Sequence, residues 1–193
     1  MFCCFTCSQK ITRLLLITKN DWVTTALDRL LEEGSANVKV ERLARDLGVT
    51  KGSFYWHFKD RADLLQQAAA SWEERQLSFL DTLKNTDYES PEARLKGLFA
   101  FIDTKDARHD AAMRLWARRS DWINDLVAKI DRVRLGYCED IFIELGFYGD
   151  AARLRAHLVY YYQVAEQTLS YKEPEEIRQR LNELRFDLLV TNG

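Results

Sequence analysis

Apolar residues recur every three or four positions along most of this chain, the spacing that places them on one face of an α-helix. The first stripe follows Asn20 and Asp21, either of which can cap a helix, and it stops at Gly34. Later stripes, with Asp60 as a cap for the first of them, predict helices over residues 60–83, 93–103, 107–119, 121–146, 150–171 and 174–189. Only 2 prolines and 8 glycines interrupt these segments. We therefore predict an all-α protein of about nine helices.

The stretch VERLARDLGVTKGSFYWHF, residues 40–58, predicts two short helices joined by a tight turn. Gly48 is expected to end the first helix, because a residue without a Cβ readily adopts the left-handed conformation found there. Thr50 is expected to cap the second helix, with its hydroxyl accepting a hydrogen bond from the amide of Ser53. This pattern is typical of a helix-turn-helix, whose second helix lies in the major groove of DNA. A helical hairpin with a glycine turn and no DNA contact is the alternative.

The second helix of this motif carries side chains suited to reading bases. Lys51, Gly52 and Ser53 lie at the end of the helix that faces base edges in such motifs. Lys51 can donate to guanine O6 or N7, and Gly52 permits a close approach without reading a base itself. Trp56 is expected to pack against sugars or thymine methyl groups.

Three further cations suit contacts with phosphates. Lys39 stands at the start of the first motif helix. Lys59 and Arg61 flank the start of the following helix, whose N-terminal partial charge favours anions. The complete set of expected DNA contacts is Lys39, Val40, Arg45, Thr50, Lys51, Gly52, Ser53, Tyr55, Trp56, His57, Lys59 and Arg61.

The segment LARDLGVTKGSFYWHFKDRADLL resembles the DNA-binding signature of the tetracycline-repressor (TetR) family of bacterial transcription regulators. The likeness covers residues 18–65 and is strongest in YWHF and the KDR that follows. It implies that Tyr55 and His57 meet DNA phosphates, although a buried His57 is the alternative. Phe54 and Phe58, four residues apart, are expected to pack inward. Where the family often has Ser or Thr beside the first motif helix, this chain has Lys39, which loses a capping hydroxyl.

The resemblance divides the chain into three parts. Residues 1–17 form a tail that is disordered or partly helical, residues 18–62 form the helix-turn-helix domain, and residues 63–193 form a ligand-binding and dimerisation body. The first 60 residues carry a net charge of +2 and the remainder −4, for a total of −2. A mildly basic DNA-binding domain on an acidic body fits this division, although a local patch matters more than the total.

Cysteine spacing argues against a disulfide framework. Cys3, Cys4 and Cys7 crowd into the tail, and Cys138 lies alone in a helical pattern. No nearby His or second Cys pair completes a tetrahedral metal site, so we expect neither a metal nor a cofactor. No stretch approaches the length of a membrane span, and polar residues interrupt the apolar N-terminus too often for a signal peptide. A cytoplasmic protein with no membrane partner is therefore expected.

Aromatic residues are abundant in the body, and most are expected to pack in a core. The resemblance implies a small-molecule cavity between its helices, and aromatic walls with a few polar groups suit such a site. A structural role is the alternative for each member of the expected set. The expected ligand-binding residues are Trp72, Phe79, Phe99, His109, Met113, Trp116, Phe142, His157, Tyr161 and Gln163.

The last two helices each carry an apolar stripe. Packing within the chain could use both stripes, but the resemblance implies a two-fold, four-helix interface between two copies. A dimer also engages both half-sites of a palindrome. The expected interface residues are Leu154, Leu158, Tyr161, Ala165, Leu169, Ile177, Leu181, Leu184 and Leu188.

These observations predict a TetR-like regulator, most simply a repressor, that binds a palindromic DNA operator as a homodimer and is released by a small-molecule effector. One alternative is an activator or a regulator gated by a protein partner. Another is a helical small-molecule-binding protein without DNA function. The sequence has no glycine-rich phosphate loop, no HExxH and no G-x-S-x-G motif, so we expect no enzymatic activity.

Overall fold

The structure, a computed structural model, describes residues 17–104, 106–171 and 173–191. Within these ranges it contains nine α-helices and no strand, which confirms the predicted fold class. None of these helices is both long enough and apolar enough to cross a membrane. The expectations for the cysteine-rich tail fall on residues outside the described ranges, apart from Ile17. The helices are α1 (Lys19–Glu33), α2 (Val40–Asp46), α3 (Lys51–Phe54), α4 (Arg61–Asn85), α5 (Pro91–Thr104), α6 (Arg108–Ala117), α7 (Asp121–Glu144), α8 (Asp150–Thr168) and α9 (Glu175–Val190).

The helices form two compact units. The first unit comprises the chain up to Arg75 together with Arg108–Val127. The second comprises Gln76–Ala107 and the chain from Ala128 onward. The boundary between the units differs from the domain boundary expected between residues 62 and 63. Helix α4 belongs to the first unit as far as Arg75, and α6, which packs along α1, belongs to that unit as well.

Three aromatic rings form the centre of the first unit. Trp22 of α1 meets Phe54 of α3 edge to face, with ring centroids 5.4 Å apart. Phe54 in turn stacks on Phe58 at 5.2 Å. All three side chains are buried, which confirms the predicted inward packing of Phe54 and Phe58. These contacts hold α3 against α1.

The N-terminus of α1 differs from the sequence-based expectation. Its cap is Thr18, so the prediction of Asn20 or Asp21 was wrong. The Thr18 hydroxyl accepts from the amide of Asp21 at 3.3 Å, while the Asp21 carboxylate accepts from the amide of Thr18 at 2.7 Å. Hydrogen bonds from Thr18 also lower the pKa of Asp21. This reciprocal pair is a capping box, which the spacing T-x-x-D allows.

Other helix ends agree with the prediction more closely. Gly34 ends α1 with a positive φ of 75°. Asp60 caps α4, since its carboxylate accepts from the amide of Asp63 at 2.8 Å. Helix α8, however, ends at Thr168 rather than extending to Tyr171. The predicted interface residue Leu169 therefore lies just beyond that helix.

Two polar contacts join α6 to its neighbours in the first unit. The indole N–H of Trp72 donates to the carboxylate of Asp110 at 2.9 Å, and both side chains are buried. His109 Nε2 lies 3.1 Å from an oxygen of Asp28, which links α6 to α1. A buried donor without a partner is costly, so the Trp72–Asp110 bond contributes to the register of α4 and α6.

The second unit has its own apolar core, contributed by α4, α5, α7, α8, α9 and the turn after α7. The guanidinium of Arg94 stacks over the ring of Tyr137 at 4.6 Å, and the Tyr137 hydroxyl donates to the carbonyl of Leu83 at 3.3 Å. Burial raises the pKa of Cys138 to about 12, so its thiol stays protonated and unreactive. The core side chains are Leu80, Leu83, Leu95, Leu98, Tyr137, Cys138, Ile141, Phe142, Phe147, Ala152, Ala156, Val159 and Leu189.

Replacing Asp110 by alanine should destabilise the first unit. The substitution leaves the buried indole N–H of Trp72 without its carboxylate, which should lower the free energy of unfolding by about 2 kcal/mol. Urea denaturation followed by tryptophan fluorescence measures this change. Asp125→Ala, at an exposed position in α7, is the control and should change stability by less than about 0.5 kcal/mol. Equal stability of the two variants would contradict the assigned role of the bond.

Candidate nucleic-acid interface

The turn between α2 and α3 is built on Gly48. Its φ of 69° is left-handed, and the amide of Val49 reaches back to the carbonyl of Ala44 at 2.9 Å. This pairing closes the C-terminus of α2 and turns the chain sharply, as predicted. Thr50 is the N-cap of α3, but its hydroxyl makes no capping hydrogen bond. The amide of Ser53 instead donates to the Thr50 carbonyl at 3.0 Å, so the predicted hydroxyl bond was wrong.

The start of α2 has no side-chain cap. Lys39 is the N-cap, and its side chain accepts no hydrogen bond from the helix, because an ammonium is a donor only. This agrees with the loss expected from the departure at this position. The Lys39 side chain is exposed and remains a candidate for a phosphate contact.

The structure exposes most of the candidate DNA contacts. Trp56 is 89% exposed and Tyr55 56% exposed, which is unusual for large aromatic side chains without a partner. Both residues come directly after the buried Phe54 in the chain. His57 is half-buried, between its two expected environments. The exposed members of the set are Lys39, Arg45, Thr50, Lys51, Gly52, Tyr55, Trp56 and Lys59.

Three candidates occupy other environments. Val40 and Ser53 are buried, with 9% and 7% of their surfaces exposed, so their side chains face the protein. Arg61 is half-buried, and its guanidinium donates to the backbone carbonyls of Val38, at 2.6 Å, and Ser35. Arg61 thus ties the chain before α2 to the start of α4. The structure gives these three residues supporting positions within the chain, and the expectation that they contact DNA stays a prediction.

The ion pairs of this region have two different locations. Arg29 of α1 pairs with Asp46 at 2.8 Å, which braces α1 against the end of α2. Within α1, Arg29 also pairs with Glu33 at 3.1 Å. By contrast, Lys51 Nζ lies 2.5 Å from a carboxylate oxygen of Glu41 on the exposed surface. Sequence reasoning missed Glu41, although its position in the helix preceding Lys51 was visible.

The expected ligand-binding residues are divided between the two units. In the first unit, Trp72 is bonded to Asp110, His109 faces Asp28, and Met113 and Trp116 are buried. These contacts give each residue a structural role there. The expectation of a ligand contact stays a prediction for these four residues.

The remaining expected ligand residues belong to the second unit. Phe79 meets the ring of Phe101 at 5.6 Å, and Phe142 is fully buried in the core. Phe99 lies 4.3 Å from the guanidinium of Arg185. Members of a second group lie on α8, where His157 stacks on the 58% exposed Tyr161 and Gln163 is half-buried. The second unit thus places this set in both interior and surface environments.

A surface cleft in the second unit was not anticipated. It has a volume of about 750 Å³ and lies between the α4–α5 connection and α7. Its lining includes Tyr88, Arg94 and Glu144, and the Arg94 guanidinium donates to the Glu144 carboxylate. The sequence showed this connection only as a polar loop. Among the described residues, no group of three His, Cys, Asp or Glu side chains is arranged to hold a metal ion.

Comparisons with known proteins agree with this geometry. A family model described as bacterial regulatory proteins, tetR family, matches residues 23–68. The HTH-type transcriptional regulator SrpR of Pseudomonas putida is 33% identical over 54 residues, which cover 28% of this chain and 25% of that protein. An HTH-type transcriptional regulator of Staphylococcus aureus is 35% identical over 86 residues, 40% of this chain and 44% of that protein. The matched part of the chain thus spans less than half the length of these relatives.

Solved structures share the fold over nearly the whole chain. A TetR transcriptional regulator from Legionella pneumophila has a TM-score of 0.64 at 13% identity, covering 90% of this chain and 94% of that one. A transcriptional regulator from Rhodococcus has a TM-score of 0.63 at 19% identity, covering 90% and 96%. Residues 23–68 thus match the TetR family, and we call them the TetR-family segment of this chain. All of the candidate DNA contacts fall inside its TetR-family segment.

Within this TetR-family segment, Arg61 and Lys59 should separate stability from DNA binding. Arg61→Ala removes hydrogen bonds from a charged donor to two backbone carbonyls and should lower the free energy of unfolding by about 2 kcal/mol. Lys59→Ala removes an exposed cation and should leave stability within about 0.5 kcal/mol while weakening DNA binding. Urea denaturation and a DNA titration on the same preparations measure both effects. If Arg61→Ala were as stable as the parent protein, its bracing role would be wrong.

Proposed function

We propose that this protein is a DNA-binding transcriptional regulator whose helix-turn-helix reads a palindromic operator. The observation that carries this proposal is the exposed surface of α3 and the turn after it. Lys51, Tyr55 and Trp56 project there from a helix held by the buried Phe54. Hydrogen-bond donors suited to base edges and phosphates lie there beside an exposed aromatic ring, and this combination suits contact with a DNA groove better than exposure to solvent.

A homodimer is the form in which we propose that it acts. Large apolar side chains on α8 and α9 are exposed, including Leu154 at 58%, Leu184 at 63% and Leu188 at 74%. These side chains follow helical spacing along one side of each helix, the arrangement by which two helices per copy form a four-helix interface. Two copies related by a two-fold axis would present two α3 helices to the half-sites of a palindrome.

Repression relieved by a small molecule is the simplest mode of regulation. An effector that binds the second unit more tightly in one conformation shifts the population away from the DNA-binding form. An activator, or a regulator gated by a protein partner, would use the same DNA-binding surface. The position of the operator relative to a promoter distinguishes these modes. The exposed hydrogen-bond donors of residues 50–59 argue against a helical small-molecule-binding protein without DNA function, because such a protein would not need them.

The proposed function places the protein in the cytoplasm with the DNA that it binds. It requires no catalytic step and no cofactor. Its partners are double-stranded DNA, a second copy of the chain and a small-molecule effector.

Selection from fragmented genomic DNA tests the proposal directly. Purified protein should enrich fragments that contain a palindrome, and binding should weaken steeply as salt rises because phosphate contacts release counterions. Weak, salt-sensitive binding to every fragment alike would contradict operator recognition.

Tyr55→Phe and Lys51→Ala should both weaken operator binding. Loss of one phenolic hydroxyl contact should raise the dissociation constant about three- to tenfold, since such a bond contributes about 1 kcal/mol. Lys51→Ala should have an equal or larger effect because a cation is lost. Mobility-shift titration measures both, and circular dichroism checks folding. Tyr148→Phe, at a 72% exposed tyrosine of the second unit, is the matched control and should bind like the parent protein. Unchanged binding by both variants would contradict the assigned contacts.

Leu184→Glu should shift the protein toward monomer. A carboxylate placed in an apolar interface loses its hydration, so we expect the dimer dissociation constant to rise by a factor of about ten or more. Sedimentation equilibrium measures the association state. Leu115→Glu, at a 47% exposed position on α6, is the control. Equal dimerisation of both variants would exclude this face of α9 as the interface.

A further inference from the structure

A carboxylate lies at the base-reading end of α3. Glu41, in the first turn of α2, holds the ammonium of Lys51 at 2.5 Å. The side chains of Glu41 and Lys51 are 60% and 51% exposed. The pair therefore lies on the exposed surface that we propose to face DNA, and it does not brace the core. An exposed pair of this kind contributes little to folding.

Other acidic groups of the first unit are engaged away from this surface. Asp46 and Glu33 pair with Arg29, which links α1 to α2. The carboxylate of Asp63 accepts from the backbone amide of Lys59 at the start of α4. Glu41 differs from these because its partner is the cation expected to read bases.

The hydrogen bond keeps both partners charged. It lowers the pKa of the Glu41 carboxyl and raises the pKa of the Lys51 ammonium. The pair is thus close to neutral as a unit at physiological pH. A neutral pair attracts the phosphate backbone less than a free lysine would, because counterion release scales with the net cationic charge brought to DNA.

We propose that Glu41 is a specificity-determining residue that acts through Lys51, by holding its ammonium toward base edges and away from indiscriminate phosphate contacts. This inference rests on the proposed DNA-binding function. At a G·C pair, guanine O6 and N7 accept from an ammonium, and the cytosine N4 amino group donates to a carboxylate. The ion pair can therefore open there with both partners satisfied. At a phosphate only the lysine gains a partner, and the carboxylate is repelled.

Glu41→Gln tests the inference, because it removes the charge and keeps the size of the side chain. The dissociation constants for the selected operator and for a random duplex of equal length are measured at several salt concentrations. Random DNA should bind about five- to tenfold more tightly, and its salt slope should steepen by about one for each DNA-bound copy. The affinity for the operator should rise less, so that the ratio of the dissociation constant for random DNA to that for the operator becomes smaller. Equal ratios and slopes for parent and variant would overturn the inference.

A double-mutant cycle with Lys51→Ala tests whether Glu41 acts through that lysine. In the Lys51→Ala background, Glu41→Gln should leave the ratio of the two dissociation constants unchanged, because an unpaired carboxylate repels operator and random DNA alike. An undiminished change in this ratio would show that Glu41 acts independently of Lys51, and the proposed route through Lys51 would be wrong. Glu74→Gln, at an exposed position on α4, is the matched control and should behave as the parent protein.

The parent protein distinguishes failure of this inference from failure of the proposed function. If the parent enriches no palindrome and binds all DNA equally, the regulatory function itself fails and this inference fails with it. If the parent discriminates strongly and Glu41→Gln does so equally, only the role of Glu41 is excluded.

Discussion

The packing of Phe54 between Trp22 and Phe58 is the interaction on which the proposed DNA-binding surface depends. Helix α3 has only four residues, Lys51–Phe54, and a single turn is not stable alone in water. Its position is fixed from outside, by the Gly48 turn before it and by the buried ring at its end. Because Ser53 and Phe54 face inward, Tyr55 and Trp56, which follow them, face outward. The exposure of Tyr55 and Trp56 is thus a consequence of core packing.

The charges near this surface are arranged locally rather than by net balance. The first 60 residues carry only +2, so a diffuse positive field does not explain binding. Arg29 and Arg61 make contacts within the chain: Arg29 forms ion pairs, and Arg61 donates to backbone carbonyls. Lys39 and Lys59 are exposed and are the cations that we propose to contact phosphates, while Lys51 pairs with Glu41. A surface with few unopposed cations favours discrimination between DNA sequences over tight general binding.

The fold and the motif could be predicted from the sequence, because apolar residues at helical spacing indicate a buried helix face and a glycine between two such helices indicates a turn. The partners of polar side chains could be predicted less well. Arg61 looks like a phosphate-binding cation, but the carbonyls that it meets belong to Val38 and Ser35, which are distant in sequence. Ser53 has a donor and lies on the helix expected to read bases, yet it is 7% exposed and faces the protein. Such assignments depend on the rotation of a helix about its axis, which spacing alone does not fix.

The same limit applies to α9, where two neighbouring leucines have opposite fates. Leu189 is 2% exposed in the core of the second unit, whereas Leu188 is 74% exposed. In the sequence, these two leucines look alike. Only their burial in the structure shows which one packs within the chain and which one does not. On the inner side, the guanidinium of Arg185 lies 4.3 Å from the ring of Phe99 and 4.2 Å from the ring of Tyr162, within its own unit. The outer leucines have no such use inside the unit. Exposed apolar side chains are costly in water, and this cost is the reason for proposing that a second copy of the chain covers this face.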